Sequence, residues 1–465
     1  MEIRIPIDLT PEGYRKFIEC KKLAHYRVEG REVLTDDVSY AAVFGGDVST
    51  TSLSGDAPHL MEFQRVLVQR ALDRRRFALF ADCGLGKTPM SLAWAVEVAK
   101  QGRVLILCPL AVYQQWIREA KRFHGIDLVD LRAGQPWTDG IGILNYEARR
   151  DLDMRGVSGI VLDESSILKN AEGETRDWLV GLSASVPFRL AASATPAPND
   201  HAEYASHAVF LGYARSAKEF YSQYFKKADG GPNWVLRGHA IEPFYRNLSA
   251  WATYIYSPKA LGFSESTEMG HEPIFDYCRF ATHDGFRPDS GMLFATAGNA
   301  EDRSAVFGEI RSSPGARLQG IVDYLDTHKR GIVWCNRNAE EKAIADALWD
   351  DSVAVLNGSM PIEERVEKVE AFRAGQLRVI VSKPKVLGFG VNIPECDHMV
   401  YSGFNYSFEE MYQAIRRAHR YGRAGRLNVM IPYTDPESAV LQELRKKMDR
   451  FAGDVAEMQR RFWSA

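Results

Sequence analysis

The chain of 465 residues lacks the cysteine patterns of a disulfide or zinc protein. Its six cysteines form no CxxC pair, and no group of Cys and His has zinc-ligand spacing. Cys108 and Cys335 end apolar runs, so we expect them to be buried thiols. The sequence therefore predicts a reducing, cytoplasmic environment and no structural metal.

Long apolar segments and an excess of charge are also missing. No stretch approaches 18 apolar residues, so we expect no membrane-spanning helix. The first residues, MEIRIPIDLTPEG, are too polar for a signal peptide. The net charge is -3, so any nucleic-acid surface must be a local concentration of Lys and Arg. The composition, 45% hydrophobic and 26% charged, is that of a globular protein with two to four domains.

Two regions alternate short apolar runs with amphipathic segments, which is typical of βαβ units around a parallel sheet. RFALFAD, RVLILCP and GIVLDES are strands of the first region, and GIVWCN, LRVIVS and HMVYSG are strands of the second. Between the regions, EFYSQYFKK and FYRNLSAWATYIYS are aromatic and compatible with helices. The predicted fold class is α/β, with an N-terminal accessory element (1–57), a first parallel-sheet domain (58–200), a helical insertion and linker (201–305) and a second parallel-sheet domain (306–465).

A glycine-rich segment, ADCGLGKT (81–88), follows the first of these strands, although Ala81 replaces the first glycine of the GxxxxGK[ST] pattern. The backbone N–H groups of such a turn, with the N-terminus of the next helix, bind phosphate. Lys87 is expected to reach the β- and γ-phosphates, and the Thr88 hydroxyl to ligate magnesium. A glycine turn without a ligand is the alternative. The predicted nucleotide-binding residues in this segment are Gly84, Leu85, Gly86, Lys87 and Thr88.

Two adjacent acids, Asp163 and Glu164, end the strand-like GIVLDES. In P-loop ATPases the aspartate holds magnesium, and a neighbouring residue orients the attacking water. Side chains of adjacent residues leave a strand in different directions, so the two acids can take separate roles. Alone, the pair could equally be two solvated acids, but its position after a phosphate loop favours a metal site.

The segment YQAIRRAHRYGRAGR (412–426) concentrates arginine. On a helix, Arg417 and Arg420 would share a face. Two guanidiniums on one face suit a transferring phosphoryl group, whose negative charge grows on its oxygens. From residue 416 to the end there are 11 Lys/Arg and 6 Asp/Glu, a local net charge of +5. A basic solvated helix, or a nucleic-acid patch that includes Arg423 and Arg426, therefore remains an alternative.

These segments occur in the order found in superfamily 2 helicases and translocases. The chain resembles the Swi/Snf-like branch most closely, and within it the compact members encoded by phages or prophages. The resemblance covers residues 58–200 and 310–450, and it includes an alanine at the first position of the phosphate loop. Its motifs are Gln64 in FQRVLVQRAL, then ADCGLGKT, LILCPLAVYQQW, ILNYE, DESS, SATP, IVWCNRNAEE, VLGFGVN and QAIRRAHRYG.

The resemblance implies two RecA-like domains of the P-loop NTPase type, with ATP and Mg²⁺ as cofactors. It assigns adenine recognition to Gln64, which lies 23 residues before Lys87. The other roles that it implies are catalysis by Lys87, Glu164, Arg417 and Arg420, nucleotide binding by Gly390 and Gln413, magnesium binding by Thr88 and Asp163, and coupling between the ATP and nucleic-acid sites by Ser193 and Thr195.

Three departures from the family pattern affect the expected contacts. Ser166 replaces the histidine of the DEAH motif, Ala111 replaces a hydroxyl residue, and FNYSF replaces a Trp-Asn-Pro segment. The candidate nucleic-acid contacts in the two domains are Gln115, Asn145, Asn336, Arg337 and Lys383. In the insertion, KKADGGPNWVLRGHA adds Lys226, Lys227, Trp234 and Arg237, because basic residues beside an aromatic ring can bind a strand and stack a base. A surface loop with one packed tryptophan is the alternative.

The resemblance implies a DNA-stimulated ATPase that moves along double-stranded DNA with little sequence preference. We expect a monomer in the cytoplasm of a bacterial cell or a phage-infected host. A strand-separating helicase on DNA or RNA is one alternative. An ATP-gated clamp that binds DNA without processive movement is another. The biological role, the polarity and the role of residues 1–57 stay open at this stage.

Overall fold

A computed structural model describes residues 3–20, 26–35, 51–53, 57, 59–169, 173–228, 231, 233–264, 271–280, 315–328, 330–348, 350–387, 393–403, 405–420, 423, 425–434 and 437–463. The chain divides into two compact units. The first comprises Met1–Ser266 and Ala452–Ala465, and the second comprises Thr267–Phe451. The predicted domain boundaries after residues 57, 200 and 305 stay predictions.

The first unit is built on a seven-stranded sheet. Its strands are β4 (Arg76–Ala81), β5 (Arg103–Cys108), β6 (Val129–Asp130), β7 (Ile141–Asn145), β8 (Val157–Asp163), β9 (Phe188–Ser193) and β12 (Ala252–Ile255). Their order is β12-β4-β9-β8-β5-β7-β6, and all neighbouring pairs are parallel. The strands are continuous apolar runs because a parallel sheet is covered on both faces.

Helices that alternate with these strands return the chain to the start of the next strand. They are α2 (Glu62–Arg74), α3 (Lys87–Ala99), α4 (Leu110–His124) and α5 (Glu174–Ser183). Their apolar residues join those of the strands in one core, which includes Trp94, Trp116 and Phe188. This alternation of strands and helices agrees with the predicted α/β class.

Residues that follow β9 form helices α6 (Tyr204–Leu211), α7 (Ala217–Tyr224) and α8 (Ile241–Trp251), and a hairpin of β10 (Phe225–Lys227) and β11 (Trp234–Leu236). The helices predicted for EFYSQYFKK and FYRNLSAWATYIYS are therefore too long, since each segment ends in a strand. The second of these strands, β12, is wholly buried and pairs with β4. Thr253, Tyr254 and Ile255 are β-branched or aromatic residues, which favour a strand once a partner such as β4 is available.

A small element precedes the seven-stranded sheet. It contains β1 (Ile3–Pro6), α1 (Pro11–Cys20), β2 (Arg27–Glu29) and β3 (Glu32–Thr35), with the strands antiparallel in the order β1-β3-β2. Its own core consists of Ile5, Cys20 and Val33. The buried Cys20 agrees with a reduced thiol, and the sequence predicts no architecture for this element.

The last residues of the chain pack on the first unit. Asp454 is buried and accepts hydrogen bonds from the hydroxyls of Tyr245 (2.5 Å) and Tyr204 (3.1 Å), and His201 Nε2 lies 2.7 Å from it. Phe462 joins the core of the first unit. These contacts explain why residues after Phe451 group with the first unit rather than with the second.

The second unit contains a six-stranded sheet. Its strands are β13 (Ile274–Arg279), β14 (Gly331–Trp334), β15 (Val353–Leu356), β16 (Val379–Ser382), β17 (His398–Tyr401) and β18 (Asn428–Tyr433). The order is β13-β18-β17-β14-β16-β15, and all neighbouring pairs are parallel. Its helices are α9 (Gly315–His328), α10 (Asn338–Ala347), α11 (Ile362–Arg373) and α12 (Phe408–Ile415), together with the part of α13 (Ser438–Arg460) that precedes Ala452. The predicted fold class, α/β with two parallel sheets, is confirmed.

A buried ion-pair network fixes three segments of the second unit. Arg317 on α9 pairs with Glu437 (2.7 Å) and with Glu340 (2.9 Å), and all three side chains are largely removed from solvent. Glu437 also accepts a hydrogen bond from the Thr434 N–H at 2.8 Å. Removal of one member of such a network lowers the free energy of unfolding, because it leaves a buried charge without its partner.

We expect Glu437→Ala to destabilise the second unit by about 3 kcal/mol, because it leaves Arg317 buried with one carboxylate and removes the acceptor of the Thr434 N–H. The measurement is urea unfolding of the full chain, followed by circular dichroism. Glu443→Ala is the matched control, since Glu443 forms only an exposed pair with Lys446 at 4.0 Å. Equal unfolding midpoints for the two variants would contradict the prediction.

Candidate nucleotide-binding site

The glycine-rich segment lies between β4 and α3, where the sequence places it. Gly84 (φ 89°) and Gly86 (φ 81°) adopt left-handed backbone conformations that L-residues with side chains rarely take. Gly86 is the residue directly before α3, so the turn leads into the N-terminus of that helix. The segment therefore has the strand, turn and helix start that a phosphate site requires.

A close approach to Gln64 gives Gly86 a second constraint. A Cβ atom on Gly86 would lie 2.3 Å from Gln64 Nε2, which is closer than real Cβ contacts come. Gln64 is buried on α2 and donates from Nε2 to the Leu85 carbonyl at 2.9 Å. Its Oε1 accepts the Met61 N–H at 2.9 Å. The structure thus brings the predicted adenine-reading residue against the phosphate loop, and its carboxamide still has a second donor hydrogen and a second acceptor lone pair.

Lys87 points back toward the end of β4. Its Nζ donates to the Ala81 carbonyl at 3.0 Å. Burial disfavours the charged form, but the negative groups of Cys83, Glu164, Asp163 and Asp82 outweigh it and raise the pKa of Lys87. An ammonium group is therefore kept in a partly enclosed position, which suits a site for a polyanion.

Pairing of three strands places Lys87 and the two acids at one edge of the sheet. β9 lies between β4 and β8, with Phe80 opposite Ser193 and Asp163 opposite Ala192. Because the strands are parallel, their carboxyl ends meet at the same edge, the usual location of ligands in α/β proteins. The motifs DESS, SATP and ADCGLGKT are thereby neighbours in space.

Asp163 is held at both ends of its carboxylate. Trp116 on α4 donates from Nε1 to Oδ2 at 2.8 Å, and the Glu164 N–H donates to Oδ1 at 3.1 Å. The Tyr146 hydroxyl donates to the backbone carbonyl of Asp163 at 2.7 Å. Burial raises the pKa of Asp163, while the Trp116 hydrogen bond and Lys87 oppose that effect. Trp116 and Tyr146 lie in the motifs LILCPLAVYQQW and ILNYE, but the sequence assigned no role to either residue.

Glu164 has a left-handed backbone conformation, with φ of 50°. Such a conformation is unfavourable for a residue with a side chain, and it recurs at functional sites where the surrounding structure enforces it. Here β8 ends at Asp163, and the chain turns at once into a 3-10 helix, Ser165–Lys169. Glu164 is therefore the residue at which the chain leaves the strand, and the division of roles between Asp163 and Glu164 stays a prediction.

Ser193 and Thr195, the predicted coupling residues, are completely buried at the end of β9. The Thr195 N–H donates to Ser193 Oγ at 3.1 Å. Because β9 lies between β4 and β8, both side chains lie between the phosphate loop and the two acids. Their coupling role stays a prediction.

A buried histidine contacts the motif whose own histidine is absent. Ser165 Oγ lies 3.0 Å from Nε2 of His207, a residue of α6. The His207 ring also meets the edge of Phe80 on β4 at 5.3 Å between centroids. Burial lowers the pKa of His207 to about 3, so the imidazole is neutral at physiological pH. No local sequence pattern pointed to His207, because it lies on a helix outside the motifs.

The arginine segment of the second unit is not one long helix. Helix α12 ends at Ile415, so Arg417 and Arg420 lie in the turns that follow it, and the shared helical face predicted for them is wrong. The carbonyl of Arg417 accepts the Ile393 N–H at 2.8 Å, and its guanidinium contacts the Pro384 carbonyl at 3.3 Å. Tertiary hydrogen bonds of this kind end the helix early. Gln413 is half-buried on α12, and Gly390 lies outside the described residues.

Arg423 has a structural role instead of a place in a basic patch. Its guanidinium is buried and donates to the carbonyls of Pro394 (2.8 Å) and Cys396 (2.7 Å) and to Asp397 (2.6 Å). This leaves Arg426, which is exposed, as the residue that could extend the patch.

Candidate nucleic-acid contacts of the first sheet lie near its carboxyl edge. Asn145 ends β7 but is buried and donates to Glu147 at 2.7 Å. Gln115 on α4 is half-buried and donates to Glu119 at 2.7 Å. Each amide therefore has one hydrogen bond within the protein, and its remaining donor and acceptor capacity is what a nucleic-acid strand could use.

The structure brings the three candidates of the second sheet together. β14 and β16 are neighbours, with Trp334 opposite Ser382, so Asn336, Arg337 and Lys383 follow their strands at one edge. Lys383 Nζ contacts the Asn338 side chain and lies 3.7 Å from Glu341. The ammonium group of Lys383 therefore lies at the same edge of the sheet as the backbone of Asn336 and Arg337.

Candidates in the insertion form the surface of the β10–β11 hairpin. Trp234 stacks on Tyr221 with 4.8 Å between ring centroids, and Lys227 Nζ lies 4.3 Å from the Trp234 ring. Lys226 is exposed and lies opposite Val235, which is also exposed. Arg237 donates to the Ser222 carbonyl at 3.2 Å. The hairpin thus offers ammonium groups, whereas the ring of Trp234 is already covered by protein.

Residues 316–422 match the helicase conserved C-terminal domain. Among relatives, the ATP-dependent RNA helicase RhlB of Pseudomonas syringae is 32% identical over 26% of this chain and 30% of its own length. The mouse DNA annealing helicase and endonuclease ZRANB3 is 21% identical over 80% of this chain and 38% of its own length. The chain thus spans well under half of each of these relatives. A SWI2/SNF2 ATPase core of Sulfolobus solfataricus, solved with double-stranded DNA, is 18% identical, with a TM-score of 0.42 over 83% of this chain and 90% of that one.

The helicase C-terminal domain and the relatives indicate the class of protein that the chain resembles. The chain is similar to superfamily 2 helicases, and its motifs resemble those of the Swi/Snf-like branch. The similarity to phage-encoded members stays a prediction. Within the described ranges, no helix has both the length and the apolar content needed to cross a bilayer.

We expect Gly86→Ala to weaken ATP binding at least tenfold. The added methyl group strains a residue with φ of 81° and displaces Gln64, and the left-handed backbone alone costs about 1–2 kcal/mol. Equilibrium titration with a fluorescent ATP analogue measures the effect.

Gly181→Ala is the control for this substitution, because Gly181 lies in α5 and a Cβ there meets no atom within 4 Å. If the Gly86 and Gly181 variants bind the ATP analogue with equal affinity, the loop does not contact the nucleotide.

Proposed function

We propose that this protein is an ATP-dependent motor that moves on nucleic acid, with double-stranded DNA as its substrate. The observation that carries the proposal is the meeting of three helicase motifs at one sheet edge. The phosphate loop with Lys87, the acids Asp163 and Glu164, and the buried Ser193 follow three adjacent parallel strands.

The residues at this edge suit a magnesium–nucleotide complex. Mg²⁺ prefers oxygen ligands and is usually held by one or two carboxylates together with phosphate oxygens. Thr88, at the start of α3, supplies a hydroxyl, and Asp163 supplies a carboxylate. When bound, the metal would neutralise charge that develops on the phosphates. Gln64 would bind the adenine edge through the donor and the acceptor that remain on its carboxamide.

In this proposal each charged side chain has one task in hydrolysis. Lys87 leaves the Ala81 carbonyl and binds the β- and γ-phosphates. Glu164 orients and polarises the attacking water from a position where the backbone is left-handed. Arg417 and Arg420 would balance the charge of the transferring group, an effect that is worth about 10³–10⁵ in rate in comparable enzymes. The role of the arginines depends on the motif match alone.

Movement would follow from phosphate contacts that change with the state of the nucleotide. Contacts to phosphate carry no sequence information, so we infer low sequence preference. They also release counterions, so binding should weaken steeply with salt. Asn336, Arg337 and Lys383 are the contacts favoured in the second unit, because they share a sheet edge.

The β10–β11 hairpin supports a further contact with the backbone. Lys226 and Lys227 are exposed ammonium groups on adjacent positions of one strand. Trp234 is held between Tyr221 and Lys227, so we propose that it stiffens the hairpin. This assigns the hairpin to phosphate binding, without base stacking.

Two alternatives differ in what happens to the strands. A strand-separating helicase would unwind a DNA fork or an RNA duplex, whereas a translocase would displace a triplex strand without unwinding the duplex. An ATP-gated clamp would do neither, and duplex DNA would leave its ATPase rate unchanged. Triplex displacement together with an intact fork supports our proposal.

We expect duplex DNA to stimulate ATP hydrolysis more than single-stranded DNA or RNA does. Lys87→Ala and Glu164→Gln should each reduce turnover at least 100-fold, which is typical when a group that stabilises charge in the transition state is lost. Both variants should retain DNA binding, because neither side chain is proposed to contact DNA. Steady-state ATPase assays and DNA titrations measure the two effects, and full turnover in both variants would show that the site is misassigned.

We expect the double substitution Lys226→Ala and Lys227→Ala to weaken duplex binding equally for all sequences. The slope of log affinity against log salt should fall by about 0.9 for each phosphate that the hairpin no longer neutralises. Lys121→Ala is the control, because Lys121 is an exposed lysine already paired with Asp127 at 2.8 Å. An unchanged slope in the double variant would remove the hairpin from the interface.

A further inference from the structure

A tryptophan outside the sequence-predicted site contacts the carboxylate that is proposed to hold the metal. Trp116 is completely buried, and its Nε1 lies 2.8 Å from Asp163 Oδ2. An indole N–H can only donate a hydrogen bond, so the Asp163 oxygen must be the acceptor. The tryptophan therefore fixes a specific oxygen of Asp163.

Helix α4, which carries Trp116, is itself anchored. The Tyr113 hydroxyl on α4 donates to Asp130 at 2.5 Å and lies 3.2 Å from the Ile143 carbonyl. The helix also buries Val112 and Ala120 in the core. A donor on a fixed helix holds its acceptor in a defined orientation, and functional sites depend on such support.

The other hydrogen bonds of Asp163 do not hold its carboxylate against rotation, so the bond from Trp116 has that role. The Glu164 N–H, 3.1 Å from Oδ1, comes from the next residue in the chain and would follow Asp163 in any local shift. The Tyr146 hydroxyl binds the backbone carbonyl and not the carboxylate. Among the residues that the structure describes, Trp116 is thus the hydrogen-bond donor to this carboxylate from a separate element.

We propose that Trp116 is a positioning residue that orients Asp163 for the magnesium–nucleotide complex. The inference rests on the proposed function, since it concerns the same carboxylate. Outer hydrogen-bond partners of metal ligands typically contribute 10–100-fold to metal affinity. Loss of the indole N–H would leave the shape of the core nearly intact and would allow the carboxylate to turn.

The test compares two buried tryptophans of the first unit. Trp116→Phe removes the bond to Asp163, whereas Trp94→Phe removes a similar volume from a tryptophan whose Nε1 has no hydrogen-bond partner among the described residues. Binding of Mn²⁺ to the full chain, in the presence of a non-hydrolysable ATP analogue, is measured by electron paramagnetic resonance. Binding of the same analogue in excess chelator gives the affinity without metal.

We expect Trp116→Phe to weaken Mn²⁺ binding at least tenfold and to change metal-free binding of the analogue by less than twofold. Trp94→Phe should change neither. In an Asp163→Asn background, Trp116→Phe should have no further effect, because the two residues act through one interaction. Equal Mn²⁺ affinities for Trp116→Phe and Trp94→Phe would overturn the positioning role.

A variant that does not fold and a protein that does not bind nucleotide would each be distinguished from a failure of the positioning role. If Trp116→Phe does not fold, a benzothienylalanine at position 116, which replaces the N–H by sulfur in a ring system of similar shape, tests the same bond. If the unmodified protein binds neither the analogue nor Mn²⁺ with it, the proposed nucleotide site fails, and the role of Trp116 fails with it. If the unmodified protein binds Mn²⁺ and the analogue normally, and the position-116 variants bind Mn²⁺ equally well, only the positioning role is rejected.

Discussion

The parallel pairing of β4, β9 and β8 is the constraint on which the site depends. The phosphate loop and the acid pair are distant in sequence, and the proposed magnesium–nucleotide site needs both. Hydrogen bonds that set Phe80 against Ser193 and Asp163 against Ala192 bring their carboxyl ends to one edge. A shift of one residue in either pairing would turn the side chains to the opposite face of the sheet. The backbone ladder therefore fixes the geometry of the charged groups.

The site contains features that are unfavourable for stability and that the proposed nucleotide site would explain. Glu164 has a left-handed backbone, Gly86 permits no side chain, and Lys87 is enclosed beside acidic groups. The surrounding core, which is rich in buried aromatic residues, outweighs these costs. Strain and concentrated charge of this kind mark positions that are shaped for binding and not for folding.

Local patterns were enough to find the residues that contact the nucleotide in our proposal. Lys87, Asp163 and Glu164 each sit at a strand end or helix start, which can be recognised from a short window. Trp116 and His207 were not recognised, because each lies on a helix away from the residue that it contacts. The helix predicted through Arg417 ended at Ile415, since hydrogen bonds to Ile393 and Pro384 come from residues distant in sequence. The strand at 252–255 was missed for a similar reason, as its partner β4 is remote.

The sequence by itself determined the α/β class, the two parallel sheets and the identity of the phosphate-loop residues, because periodicity, glycine placement and strand-end acids are local properties. Only the tertiary structure decided that Arg423 is buried as a structural residue, that residues after 451 group with the first unit, and that an indole N–H donates to Asp163. These outcomes depend on which distant segments pack together. The free energy of packing is shared among many weak contacts, so no short stretch of sequence encodes it.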